Sequence, residues 1–149
     1  MFGLKKLSAL TVGLFLAISP ALNAKEMVSV SKPQANLRSG AGTQHSAIWV
    51  LSKGFPLMVT ARRGNWLKVR DYENDVGWVY RPLVGKTPYV IVKSSVANLR
   101  SAPSTTSRIV GKAVYGDTLR TLAHQNTWVR IQNKGGTRGW VARSLVWGW

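Results

Sequence analysis

Residues 65–84 read NWLKVRDYENDVGWVYRPLV, and residues 127–146 read TWVRIQNKGGTRGWVARSLV. In both stretches the apolar residues fall at every second place. Leu67, Val69 and Val79 alternate with Trp66, Lys68, Arg70, Trp78 and Tyr80. Val129, Ile131 and Val141 alternate with Trp128, Arg130, Gln132, Trp140 and Ala142. Successive side chains of an extended chain point to opposite sides, so a period of two marks strands with one face buried. Turn-forming residues at Ser39 to Gly42, Ser52 to Gly54, Arg63 to Asn65 and Tyr72 to Asp75 separate short strands. The reading is all-β.

The two stretches belong to a longer duplication. Asn36 and Asn98 are 62 positions apart, and that offset relates Ala35-Asn36-Leu37-Arg38-Ser39 to Ala97-Asn98-Leu99-Arg100-Ser101. It also relates Gly54 to Gly116, Leu57 to Leu119, Trp66 to Trp128 and Gly77-Trp78-Val79 to Gly139-Trp140-Val141. No gap is needed from Val28 and Val90 to Val84 and Val146. Gly85-Lys86-Thr87-Pro88 lies between the copies and reads as a short linker. The expected organisation is a first unit over 25–84, a linker over 85–87 and a second unit over 88–149. A chain of about 60 residues buries only a modest core, and a barrel is one way for it to hide its strand edges.

Residues 1–24 read as an export signal. Lys5 and Lys6 precede an uncharged apolar run from Leu7 to Ile18, then Pro20 and a small Ala24. The run is short of the ~20 residues a membrane span needs, so cleavage after Ala24 is expected, leaving no membrane span. The 149-residue chain has 21 Lys and Arg against 5 Asp and Glu and no cysteine. Without residues 1–24 there remain 19 basic and 5 acidic residues, a net of +14. That charge opposes self-association and attracts polyanions. The lack of cysteine excludes disulfides, thiolate metal sites and a cysteine nucleophile.

ANLRSGAGTQHSAIWVLSKG over 35–54, followed by NWLKVRD and VGWVYRPLV, resembles the bacterial SH3-like domain, and VANLRSAPS through RGWVARSL in the second copy resembles it again. The resemblance implies two tandem SH3-like barrels of five or so strands each. It further implies no catalysis by the module, and peptidoglycan peptides as a common ligand. Trp49 departs from the pattern, standing where many such domains carry Gly, as Gly111 does in the second copy. Thr127 and Val129 flank Trp128 where some relatives carry cysteines.

Candidate chemistry is sparse. His45 and His124 are the two histidines, and their repeat counterparts are Ser107 and Arg62. No metal cluster, Cys/His pair or placed carboxylate pair of the kind a wall hydrolase needs is visible. Asp71, Glu73 and Asp75 lie in a predicted hairpin turn with Val76 where a calcium loop wants Gly. They read as a solvated turn. Arg38-Ser39-Gly40-Ala41-Gly42 lacks the following helix that a phosphate-cradling loop requires. No enzyme activity, metal or cofactor is expected.

Alternation instead points to a binding face. With Leu67, Val69 and Val79 inside, Trp66, Trp78 and Tyr80 face out beside cations, and Trp128 and Trp140 do likewise. Exposed Trp beside positive charge suits flat amphipathic ligands, although such rings also cap small cores or join two copies. The candidate ligand-binding residues are Arg38, Trp49, Trp66, Trp78 and Tyr80, clustered in the first copy, and Arg100, Trp128 and Trp140 in the second. The first copy should bind better, since Trp49 and Tyr80 stand where the second has Gly111 and Ala142. The expected function is secreted, non-catalytic binding of peptidoglycan or its stem peptides in the periplasm or cell envelope. The alternative is contact with another envelope protein during assembly. No specific nucleic-acid partner is expected.

Overall fold

The structure, a computed structural model, describes residues 25–149. The segment 1–24 and its expected cleavage lie outside the described residues. The first sheet holds β1 (Glu26–Val30), β2 (Gln34–Arg38), β3 (Ala47–Ser52), β4 (Pro56–Arg63), β5 (Trp66–Arg70), β6 (Val76–Tyr80) and β7 (Val84–Gly85). The second holds β8 (Tyr89–Val92), β9 (Val96–Arg100), β10 (Ile109–Val114), β11 (Thr118–Gln125), β12 (Trp128–Gln132), β13 (Arg138–Ala142) and β14 (Val146–Gly148). A 3-10 turn precedes the last strand of each, at Arg81–Leu83 and Arg143–Leu145. The fold is all-β, and among the described residues no α-helix forms and no helix is long and apolar enough to cross a membrane.

The sheet orders are β3-β2-β6-β5-β4-β1-β7 and β10-β9-β13-β12-β11-β8-β14. They correspond strand for strand under the offset of the repeat. Each sheet has seven strands rather than five or so, because an N-terminal strand and a short C-terminal one pair together at one edge. Ser29 opposes Gly85 and Val30 opposes Val84. Gly85 thus belongs to the first sheet. The next residues are tied down too: the Lys86 ammonium reaches Glu26, and the Ser29 hydroxyl donates to the Thr87 carbonyl at 2.6 Å.

One core fills each sheet. Val28, Val30, Ala35, Leu37, Leu51, Leu57, Leu67, Val69 and Val79 form the first, drawn from strands at both sides of the sheet, so the sheet curls over its own face. Val90, Val92, Ala97, Leu99, Ala113, Leu119, Val129, Ile131 and Val141 occupy the same places in the second. Burying each Leu or Val there contributes roughly 1.5–3 kcal/mol. Leu67, Val69 and Val79 are buried while Trp66, Lys68 and Trp78 between them are half-exposed, as alternation predicts.

The Gly-Trp-Val motif has a packing cause. A Cβ on Gly77 would lie 2.6 Å from Leu37 Cγ and 3.0 Å from the Arg38 carbonyl oxygen. Only glycine lets β6 approach β2 so closely, and Gly139 meets the Arg100 carbonyl at 3.1 Å in the same way.

Two turns of the first sheet, and its strand β4, meet the second. The Tyr72 and Tyr115 rings lie 5.5 Å apart, and Phe55 sits edge-on to Tyr72 at 5.9 Å. The Tyr115 hydroxyl donates to Glu73 Oε1 at 2.5 Å. The Tyr89 ring packs directly over Gly54, whose φ of +86° also favours glycine. Burial and hydrogen bonding hold the Tyr72 phenol protonated well beyond the usual range, and the bond to Glu73 shifts Tyr115 the same way.

Candidate functional site

β5 and β6 pair so that Trp66 opposes Tyr80 and Lys68 opposes Trp78. The Trp66 and Tyr80 rings stand 5.4 Å apart at 42°. Arg38, on the neighbouring β2, opposes Trp78 from the other side. Together Arg38, Trp66 and Tyr80 line a shallow groove of about 140 Å³ with Asn36, Thr43 and Leu83. The Arg63 guanidinium carbon lies 5.6 Å from the Trp78 ring centroid, within cation–π range.

Arg38 has a local task as well. Its Nη1 donates to the His45 carbonyl at 2.9 Å and to the Thr43 carbonyl at 3.4 Å, fastening the loop after β2. Arg100 Nη1 donates to the Ser107 carbonyl at 2.9 Å, the equivalent bond in the second sheet. This recurring staple accounts for an Arg at that place in both copies, and in the first it fixes one wall of the groove.

The groove residues Asn36, Arg38, Thr43, Trp66 and Leu83 recur as Asn98, Arg100, Thr105, Trp128 and Leu145, whereas Tyr80 becomes Ala142. On the second face Trp128 opposes Ala142, and Trp140 opposes Arg130 and, on β9, Arg100. Trp128 and Trp140 are half-exposed like their counterparts. The second copy therefore has the same floor and lacks one aromatic wall.

Trp49 is 54% exposed and lies on β3, at the sheet edge. It opposes Leu37, and Leu51 two places on opposes Ala35. Its side chain leaves the strand on the core side and emerges beyond the core. At its counterpart Gly111, an added Cβ would sit 3.5 Å from Leu99 and 3.7 Å from Thr137, on the β12–β13 turn. Trp49 is thus not gathered with Trp66 and Tyr80.

The acidic turn is structural chemistry. Asp71 is buried, and its Oδ1 accepts the backbone N–H groups of Glu73 and Asp75, each at 2.9 Å. Asn133 Oδ1 accepts the Thr137 N–H at 2.9 Å in the second copy. Burial raises the Asp71 carboxyl above the usual range, against the pull of those N–H groups. Among the described residues no three His, Asp or Glu side chains gather to hold a metal ion. His45 stacks over Gly40, and His124 lies on β11 of the other copy.

One model of the bacterial SH3 domain matches residues 31–86, and a second matches residues 95–146. The chain carries two bacterial SH3 domains in tandem. Bacterial SH3 domains usually serve as binding modules. The chain is 24% identical over 147 residues to YrvJ of Bacillus subtilis (strain 168), a protein named as a candidate N-acetylmuramoyl-L-alanine amidase. That alignment takes in 91% of this chain and 28% of the relative. Among solved structures, NlpC1 from Trichomonas vaginalis matches with a TM-score of 0.39 at 14% identity, covering 91% of this chain and 50% of that one. An NlpC/P60 family protein from Bacillus cereus ATCC 10987 also gives 0.39 at 14% identity, covering 83% and 56%. The chain spans about half the length of those structures.

Two features of the SH3 tandem escape the alternation argument. Arg63 over Trp78 comes from the next hairpin, which no strand period locates. The aromatic contact between copies, Tyr72 against Tyr115, sits on turns. A signal for it does exist in the repeat: Tyr72, Tyr115, Phe55 and Tyr89 have the non-aromatic counterparts Lys134, Lys53, Asp117 and Met27.

Proposed function

We propose that this SH3 tandem is a non-catalytic, envelope-located module that binds peptidoglycan or its stem peptides through the outward face of β5 and β6. The observation that carries the reading is the groove in which the Trp66–Tyr80 pair and Arg38 converge. Stacked aromatic walls take the apolar and amide faces of a peptide, and the guanidinium supplies charge for its carboxylates. YrvJ, whose name places it in wall chemistry, supports the ligand class. The first unit is taken to run from 25 to 85, β7 included, and the second from 88 to 149. Two weak sites on one chain gain avidity on a polymer of repeated epitopes.

Trp49 would add a separate aromatic contact at the sheet edge, and Trp78, Trp128, Trp140 and Arg100 would extend the faces. Export on a signal at 1–24 would deliver the chain to the envelope. The test is retention of purified protein on insoluble wall sacculi at moderate salt, with the supernatant assayed for muropeptides. Retention without release is the expected result. Release that disappears on changing a single His or Asp would overturn the non-catalytic reading. Absence of retention, with co-purification of one envelope protein, would favour an assembly role instead.

A further inference from the structure

The duplication is closed by aromatics on one side and left cationic on the other. Tyr72 of the first domain touches Tyr115 of the second. Their repeat counterparts, Lys134 and Lys53, line one cleft between the domains. Arg120 on β11 lines it too, with Tyr89, Thr118 and Asn133, around about 410 Å³. No Asp or Glu lines this cleft. The ion pairs found among the described residues join Glu26 to Arg62 and Lys86 and involve none of these cations. The adjoining cleft of about 230 Å³ adds Lys112 and holds Asp117, whose Oδ2 accepts the Val114 N–H at 2.8 Å.

Cations drawn to one cleft from two domains repel one another unless an anion joins them. We propose that this cleft is a phosphoryl-anion site shared by the two domains. Three positive charges match a group carrying two negative charges better than a lone carboxylate. The Thr118 hydroxyl, the Tyr89 phenol and the Asn133 amide provide neutral donors for the remaining oxygens. The aromatic clamp builds the site, because it sets Lys53 of one domain against Arg120 and Lys134 of the other. The site is separate from the Trp66–Tyr80 groove and does not depend on the wall-binding reading.

The test is calorimetric titration of the purified protein with inorganic pyrophosphate, and with citrate as a polycarboxylate of comparable charge. The variant Lys53→Gln/Arg120→Gln/Lys134→Gln is compared with a charge-matched control, Lys32→Gln/Lys93→Gln/Arg108→Gln. All six side chains belong to exposed residues, and melting curves check that both variants fold. Pyrophosphate affinity should fall at least about tenfold in the cleft variant and less than about twofold in the control. Citrate should bind the unaltered protein at least about tenfold more weakly than pyrophosphate. Equal losses in both variants would reduce the effect to net charge and overturn the proposal. Equal affinity for citrate, or no pyrophosphate binding by the unaltered protein, would overturn it as well. The cleft variant's retention on sacculi reports on the groove separately, so the two readings fail independently.

Discussion

Gly77 has no room for a methyl group, since its added Cβ would stand 2.6 Å from Leu37. Gly77→Ala should therefore destabilise the first domain by about 1–3 kcal/mol, the usual cost of overpacking a tight core. A urea melt followed by tryptophan fluorescence checks this, and an unchanged midpoint would contradict the close approach. Asp71 leads to the opposite expectation. Its folded carboxyl is held above its ordinary value, so the folded state binds that proton more tightly than the unfolded one. The stability this contributes is present at pH below the unfolded value of about 3.8 and is lost as pH rises through the raised folded value. Asn keeps the acceptor oxygen and removes the charge, as Asn133 does in the second domain. Asp71→Asn should leave stability at pH 7 unchanged or higher and flatten its fall from acid to neutral pH, whereas Asp71→Ala should lower it. Melting temperatures across that range separate the two. At this scale the acidic turn was legible as a turn, but not the burial of Asp71, because sequence pattern does not reveal which turn residue points inward.

Strands β5, β6, β12 and β13 were legible because one face is core and the other is solvent, so every second residue declares its side. β3 was not. It is an apolar run, AIWVLS, of which Ile48, Trp49 and Val50 are 47, 54 and 59% exposed. A register shift between Leu37 and Arg38 interrupts its pairing with β2, and beyond the core's end alternation no longer decides burial. For that reason Trp49 shared a predicted cluster with Trp66 and Tyr80 and lies apart from them. Trp49→Gly should keep the fold, because β10 carries Gly111 at that place. It should weaken retention on sacculi by a smaller factor than loss of Tyr80 does. Co-sedimentation alongside a melting curve checks both points, and a collapsed melt would make Trp49 a structural residue.

At the scale of the whole chain, the duplication was legible without a gap, and the two cores follow its offset. The arrangement of the two domains was not, because the aromatics at their junction break the repeat, and the approach of β4 to β8 and β14 follows from no strand period. Tyr115→Lys, which installs the counterpart residue Lys53, removes the ring against Tyr72 and the bond to Glu73. It should leave both sheets folded and loosen their relative orientation, seen as a larger radius of gyration in solution scattering with unchanged amide protection within each sheet. An unchanged radius would show that the remaining contacts fix the pair. The central claim, that wall binding runs through the Trp66–Tyr80 groove, turns on the one groove residue that differs between the domains. The direct measurement is the affinity for sacculi of Tyr80→Ala, which gives the first groove the second's wall, and of Ala142→Tyr, which does the reverse. A lost aromatic wall at a binding centre costs about 2 kcal/mol or more, about thirtyfold in affinity. A loss of that order is expected for Tyr80→Ala and a gain for Ala142→Tyr, both with unchanged melting curves. Unchanged affinity in both proteins would contradict the claim.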